Sequence, residues 1–385
     1  MTANTGDLSE NISADDISEL MLKAEAGDAG ALYDLGYLCY AGQGVMQDQA
    51  KALEYFLKAS ESGMAEAMYN VGIIYENGDG APRDYVLARK WFERAAGAGF
   101  VEAMAHLGLI YDEGLGLDAK DHAVAAVWFK KAAEAGHAYS QNALGCIYDE
   151  GLVGEPDQTA AMEWYTKAAE QGLSLAQNNL AFLYADGRGV PQDYQMAAKW
   201  WQRAAENGLA QAQCNLGSLY ASDYLGAPDY EKAKQWFDKA VRQGYGDAYF
   251  ELALLYHHGN GVAADPAYAL ELYQKAAGAG SADAMVNLGI FYLEGDLGLD
   301  ADQLKAFQWF THAADKGDDF GQYLLGVMYY QGMGVKRDIV QAAAWLMVAM
   351  VAGNEDAGGL LQEVTPGLSK KQYIKAQAMA GIITA

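Results

Sequence analysis

The sequence predicts an all-α solenoid, and three observations predict it. From Gly27 onward the 385-residue chain repeats itself nine times, with a period of 36 or 37 residues. A small residue falls in step at Gly36, Gly72, Gly108, Gly145, Ala181, Gly217, Ala253, Gly289 and Gly326, and a second glycine stands nine residues ahead of each, from Gly27 to Gly317. Between these marks apolar residues recur three and four apart, the helical period. A unit this short cannot bury its own apolar face, so neighbouring units must stack. Such an array grows along one axis, which overrides the two or three domains the length alone would suggest.

In chain order, residues 1–12 are expected to be disordered and 13–26 to form an amphipathic capping helix. Nine repeats then fill 27–353, and 354–385 form a C-terminal capping segment. Within the second repeat, Ala67, Val71 and Tyr75 share one helical stripe, with Gly72 beside it. A mid-helix glycine costs about 0.5–1 kcal/mol against alanine, so its recurrence implies close helix–helix approach. Gly-x-Gly follows at Gly42/Gly44, Gly78/Gly80, Gly114/Gly116, Gly187/Gly189, Gly259/Gly261 and Gly332/Gly334; in three repeats the second glycine slides by one, to Gly154, Gly226 and Gly298. These glycines end the first helix and turn the chain. A second helix carries Ala88, Trp91 and Ala95 on one face and stops at Gly99. The apolar stretch Ala343–Val351 needs cover on both sides, and a last helix capped by Ser369 is expected to supply it.

Composition narrows the function. A formal net charge of −25 repels phosphate backbones and anionic membranes, which argues against both as partners and favours basic ones. The longest apolar run, Ala342–Gly353, is 12 residues, too short to span a bilayer. The first residues show no secretory signal, and three cysteines without period suit a reducing compartment, so a cytoplasmic location is expected.

The pattern A-x-x-x-L-G-x-x-Y-x-x-G-x-G-V, followed by K-A-x-x-W-[FY]-x-K-A-A-x-x-G, resembles the Sel-one-like repeat, a longer cousin of the tetratricopeptide repeat. The tail around Leu368-Ser369-Lys370 and Gln377-Ala378 is similar to the C-terminal cap of bacterial members. The resemblance implies a right-handed superhelix acting as a protein-interaction scaffold, with first helices lining the concave face.

Candidate binding residues lie on those first helices. Two before the central small residue stand Asp34, Asn70, His106, Ala143, Asn179, Asn215, Glu251, Asn287 and Leu324. Asn70, Asn179, Asn215 and Asn287 could clamp an extended peptide backbone through donor and acceptor together, as the equivalent position does in tetratricopeptide relatives; the alternative is that they bridge repeats. Acids at Glu76, Asp112, Glu113, Asp149, Glu150, Asp186 and Glu294 form a rim, with aromatics Tyr33, Tyr69, Phe250 and Tyr323 beside it. Acid with exposed aromatic suits a Lys- or Arg-bearing segment, although a solvated acidic face would look the same.

Chemistry is thinly represented. His257-His258 lacks the further ligands a metal site needs, and the Gly-x-Gly turns match a dinucleotide fingerprint without its strand. Asp296, Asp300 and Asp302 lack calcium-loop spacing. Some cysteine-rich bacterial relatives are β-lactamase-like, but no Ser-x-x-Lys occurs to anchor a serine acyl-enzyme. The expectation is a non-catalytic adaptor without cofactor or metal. A cytoplasmic inhibitor or immunity-type protein, masking a toxin or enzyme, is the alternative on the same scaffold.

Overall fold

A computed structural model describes residues 12–381. The expected disorder at 1–12 falls, but for Ile12, outside them. The chain divides into two compact units, the first ending at Ala197 and the second starting at Ala198.

The first unit opens with α1 (Ala14–Glu25). Its repeats follow as α2 (Ala29–Ala41) with α3 (Gln49–Glu61), α4 (Ala65–Asn77) with α5 (Tyr85–Gly97), α6 (Val101–Glu113) with α7 (His122–Glu134), and α8 (Ala138–Glu150) with α9 (Gln158–Glu170). After α10 (Ser174–Asp186), the second unit begins inside α11 (Tyr194–Glu206). It continues through α12 (Ala210–Ala221) with α13 (Tyr230–Arg242), α14 (Gly246–His258) with α15 (Pro266–Gly278), α16 (Ala282–Glu294) with α17 (Gln303–Asp315), and α18 (Asp319–Gln331) with α19 (Ile339–Ala352). Two further helices, α20 (Glu355–Val364) and α21 (Lys370–Met379), complete the described chain. Within each unit every first helix packs on its own second helix, and that second helix packs on the next first helix. This is an α-solenoid.

The central glycine exists for close approach. A Cβ on Gly72 would sit 2.5 Å from the Phe92 ring, and one on Gly217 2.5 Å from Phe237. Phe56, Phe92, Phe129, Phe237 and Phe310 are fully buried against these glycines. The second-helix aromatic that fills the interface is therefore the residue after the tryptophan, correcting the expectation for Trp91. Trp91 instead lies partly exposed, with Arg94 stacked 4.1 Å over its ring. Lys131, Lys167, Arg203 and Lys239 repeat that pairing three residues after Trp128, Trp164, Trp200 and Trp236, at 3.5–4.6 Å.

The second glycine of the turn has a job beyond turning. Gly80 adopts φ +79°, and a Cβ there would meet the Gln49–Ala50 backbone at 2.5–2.7 Å. Gly116, Gly189, Gly261 and Gly334 seat likewise against the start of the preceding second helix, whereas Gly44 seats against Ile12 and Ile17. Where this glycine slides, at Gly154, Gly226 and Gly298, nothing lies within 4 Å.

Both ends carry extra helices. Ser13 caps α1 through a capping box with Asp16, and Ser369 caps α21 through one with Gln372. The cover over α19 comes from α20 as well as α21. It stops short of the α19 C-terminus, where Met350 and Val351 remain exposed.

Candidate binding surface on the first helices

The first helices hold their polar residues in three registers, set by helical spacing from the central glycine. The register two before it lies over the preceding first helix. Asn70 is buried, 1% exposed, and donates through Nδ2 to the Tyr33 hydroxyl at 3.3 Å; among the described residues its Oδ1 has no hydrogen-bond partner. This corrects the expectation of a groove-facing clamp at Asn70, because its side chain is buried and tied to Tyr33 of the preceding repeat. His106 likewise reaches back to Glu76 at 2.8 Å. Asn179 is half-buried, its Nδ2 on Asn142 Oδ1 at 3.1 Å and beside Cys146 Sγ. Asn215 is half-buried, and Asn287, also half-buried, donates to the Asp283 carbonyl of its own helix at 2.8 Å.

The aromatic register, three before the glycine, turns inward. Tyr33 and Tyr69 are buried, their rings 5.6 and 5.5 Å from Phe56 and Phe92, so they are not the exposed aromatics the sequence suggests. Burial, with Glu76 and Glu102 adding repulsion, pushes the Tyr69 hydroxyl up to about 12. Phe250 is half-buried on Tyr273, and Tyr323 is half-buried and stacked on Phe320.

The acidic register is partly hydrogen-bonded from within. Glu76 is held by His106, and Asp112 by His122 Nδ1 at 2.8 Å. Arg188, at the middle of its Gly-x-Gly turn, grips both oxygens of Asp149 at 2.8 and 2.9 Å and reaches Asp186 at 3.2 Å. Glu113, Glu150, Asp186 and Glu294 are exposed. The turn residue Asp79 makes the equivalent step in the first repeat pair, accepting from the Tyr40 hydroxyl at 2.7 Å. Both ties span 39 residues, a register the reading of single repeats misses.

A further register, four before the glycine, also escaped the sequence reading. Gln141, Gln177 and Gln213 are buried and donate to Ala133, Ala169 and Ala205 carbonyls at 3.0–3.1 Å. They cap the end of the preceding second helix, whose last carbonyls lack intrahelical partners.

Charge is partitioned between the two helix types. The nine first helices hold fourteen carboxylates and no lysine or arginine; the nine second helices hold sixteen lysines and arginines against eleven carboxylates. The signal is countable in the sequence once helix boundaries are known. His257 belongs to the core side of α14, with Nδ1 3.2 Å from the Tyr273 hydroxyl, its ring stacked on His258 and Asp296 at 3.9 Å. Among the described residues no group of three His, Cys, Asp or Glu is placed to hold a metal, and no helix is long and apolar enough to cross a membrane.

The sequence matches the Sel1 repeat family nine times, at residues 29–64, 65–100, 101–137, 138–173, 174–209, 210–245, 246–281, 282–318 and 320–346. The chain belongs to the Sel1 repeat family. Its Sel1 repeats are similar to those of a protective antigen from uropathogenic Escherichia coli strains, whose crystal structure displays an SLR fold. That protein is 32% identical with a TM-score of 0.66, over 95% of this chain and 86% of the other. A Sel1 repeat protein from Oxalobacter formigenes is 30% identical with a TM-score of 0.65, over 81% and 90%. An immunity protein from Pseudomonas aeruginosa is 22% identical over 62% of this chain, with a TM-score of 0.39, too loose a likeness to bear on function. No curated protein matches the chain.

Proposed function

We propose that this Sel1 repeat protein is a non-catalytic interaction scaffold whose first helices bind a Lys- or Arg-bearing protein segment. The observation that carries the reading is the charge partition: fourteen carboxylates and no lysine or arginine on the first helices. The first helices themselves present a basic segment with no lysine or arginine, Arg188 of an adjoining turn being bound to Asp149 and Asp186, whereas the second helices present sixteen. Complementary charge of this kind speeds encounter and rejects wrong partners more than it adds affinity. Glu113, Glu150 and Asp186 are the exposed contact points in the first unit. Asn179, Asn215 and Asn287 lie half-buried on the same helix type, at the position the sequence suggests as an amide clamp. An inhibitor that covers a basic surface of a toxin or enzyme would use the same face, and affinity alone would separate it from an adaptor.

The test is capture from native cell extract by wild type and by a Glu113→Lys, Glu150→Lys variant, at about 50 and 500 mM salt. The reading expects a partner held by wild type at low salt, weakened by salt, and bound about tenfold or more weakly by the variant. Unchanged melting of the variant would confirm that only the surface was altered. A partner held equally by both proteins, or indifferent to salt, would overturn it.

A further inference from the structure

We propose that the chain associates with copies of itself head to tail, the last helix of one copy docking on the first helix of the next. Repeats inside each unit cover their apolar faces with neighbours on both sides; among the described residues, the first and last helices pack on one side only. Helix α1 buries Ile17 alone and leaves Leu22 68% exposed, with Met21 exposed beside it. Helix α21 buries Ala376 alone and exposes Tyr373, Ile374 and Met379, and on α19, against which it packs, Val351 is 73% exposed. Among the described residues, seven of the seventeen exposed large hydrophobics fall on α1, α19 and α21. That density marks uncovered surface rather than scattered solvent-facing residues.

Charge selects the occupant. Helix α1 carries four carboxylates and one lysine, and that lysine, Lys23, is already held by Glu19 at 2.8 Å. Helix α21 carries three lysines and no carboxylate, in a protein of net charge −25. On α1, Asp15, Glu19 and Leu22 lie four and three apart, on one stripe. On α21, Lys371, Ile374, Lys375 and Ala378 lie on one stripe and border an apolar hollow of about 390 Å³. Acid–acid–leucine thus meets lysine–isoleucine–lysine with an opening for Leu22. Beside α1 lies a groove of about 710 Å³, bordered by Leu32, Leu35 and Tyr55 and, on its polar side, by Lys51, Lys58, Glu25 and Glu61.

The two surfaces differ, so each contact leaves one of each kind unused and further copies can add. Two helix faces make a small interface, and the association is expected to be weak, micromolar to millimolar. Sedimentation velocity between about 1 µM and 1 mM, at about 50 mM salt, is the measurement. Wild type is expected to gain mass with concentration. Asp15→Lys with Glu19→Lys, and separately Lys371→Glu with Lys375→Glu, should each weaken association about tenfold or more. Mixing the two variants should restore it, because the reversed head of one fits the reversed tail of the other. All four side chains are exposed, and circular dichroism would confirm that each variant is folded. Monomeric wild type throughout the range would overturn the proposal, as would association that neither reversal weakens or that mixing fails to restore.

Discussion

The first and second helices of each repeat are nearly equal in length but owe their stability to different things. Every second helix starts at an aspartate whose side chain accepts from a backbone N–H of the first turn, from Asp48 and Asp84 to Asp338. In seven of the nine a lysine or arginine in the last turn then suits the helix dipole, and five of these cations sit over their own tryptophan. Five first helices, by contrast, begin at Met64, Phe100, Leu173, Leu209 and Tyr245, which make no side-chain cap. The second helix is specified locally. The first is held by what surrounds it, and its polar positions are left to bridge repeats or face a partner.

Three substitutions would break or sharpen this contrast. Gly72→Leu attacks the packing on which a first helix depends, since even a Cβ would overlap Phe92. It should lower the unfolding free energy by about 1–3 kcal/mol, read by urea denaturation; an unchanged midpoint would refute the close approach. Asp84→Ala attacks only the local signal of α5 and should cost about 1 kcal/mol. A loss as large as that at Gly72 would mean the second helices also depend mainly on packing.

The smallest effect concerns Glu251 of α14. Burial, reinforced by Asp247 and Asp283, raises its carboxyl above the ordinary value, although Ser218 bonds it. The folded state then holds the proton more tightly than the unfolded chain, so the ionised form costs stability. That cost is present above the folded pKa and vanishes as pH falls below the ordinary carboxyl value. Glu251→Gln should therefore raise the melting temperature at pH 7 and change it little near about pH 3.5. A lower melting temperature at pH 7 would show that the Ser218 contact outweighs the burial.

The repeat period, the helix pairs and the three classes of glycine were all legible in the sequence, because each rests on spacing along one chain. What spacing left open was which of two adjacent residues points inward. Trp91 and Phe92 are 100° apart on α5, and both fit an aromatic at that point of the pattern; only the Gly72 contact decides for Phe92. The extra helix α20 escaped although Asn354 caps it and Glu355 and Asp356 fill its first turn. At the candidate surface, position two before the glycine was read as facing a groove. Its burial at Asn70 goes with a bond to Tyr33 of the preceding repeat, a relation between repeats that a single repeat does not contain. Arg188 was invisible for the same reason, since its partner Asp149 lies 39 residues away.

Those 39-residue ties carry a consequence for how such a chain can change length. The closing turns are interchangeable in backbone shape, with φ +85° at Gly63, +90° at Gly99 and +92° at Gly172, so excising one period would rejoin matching ends. The side chains are not interchangeable. Tyr40 finds its acceptor at Asp79, and Asp149 finds its guanidinium at Arg188. Each tie works as an address label: a shuffled order would keep the helices and lose the matches, so the series of repeats has a defined sequence as well as a number.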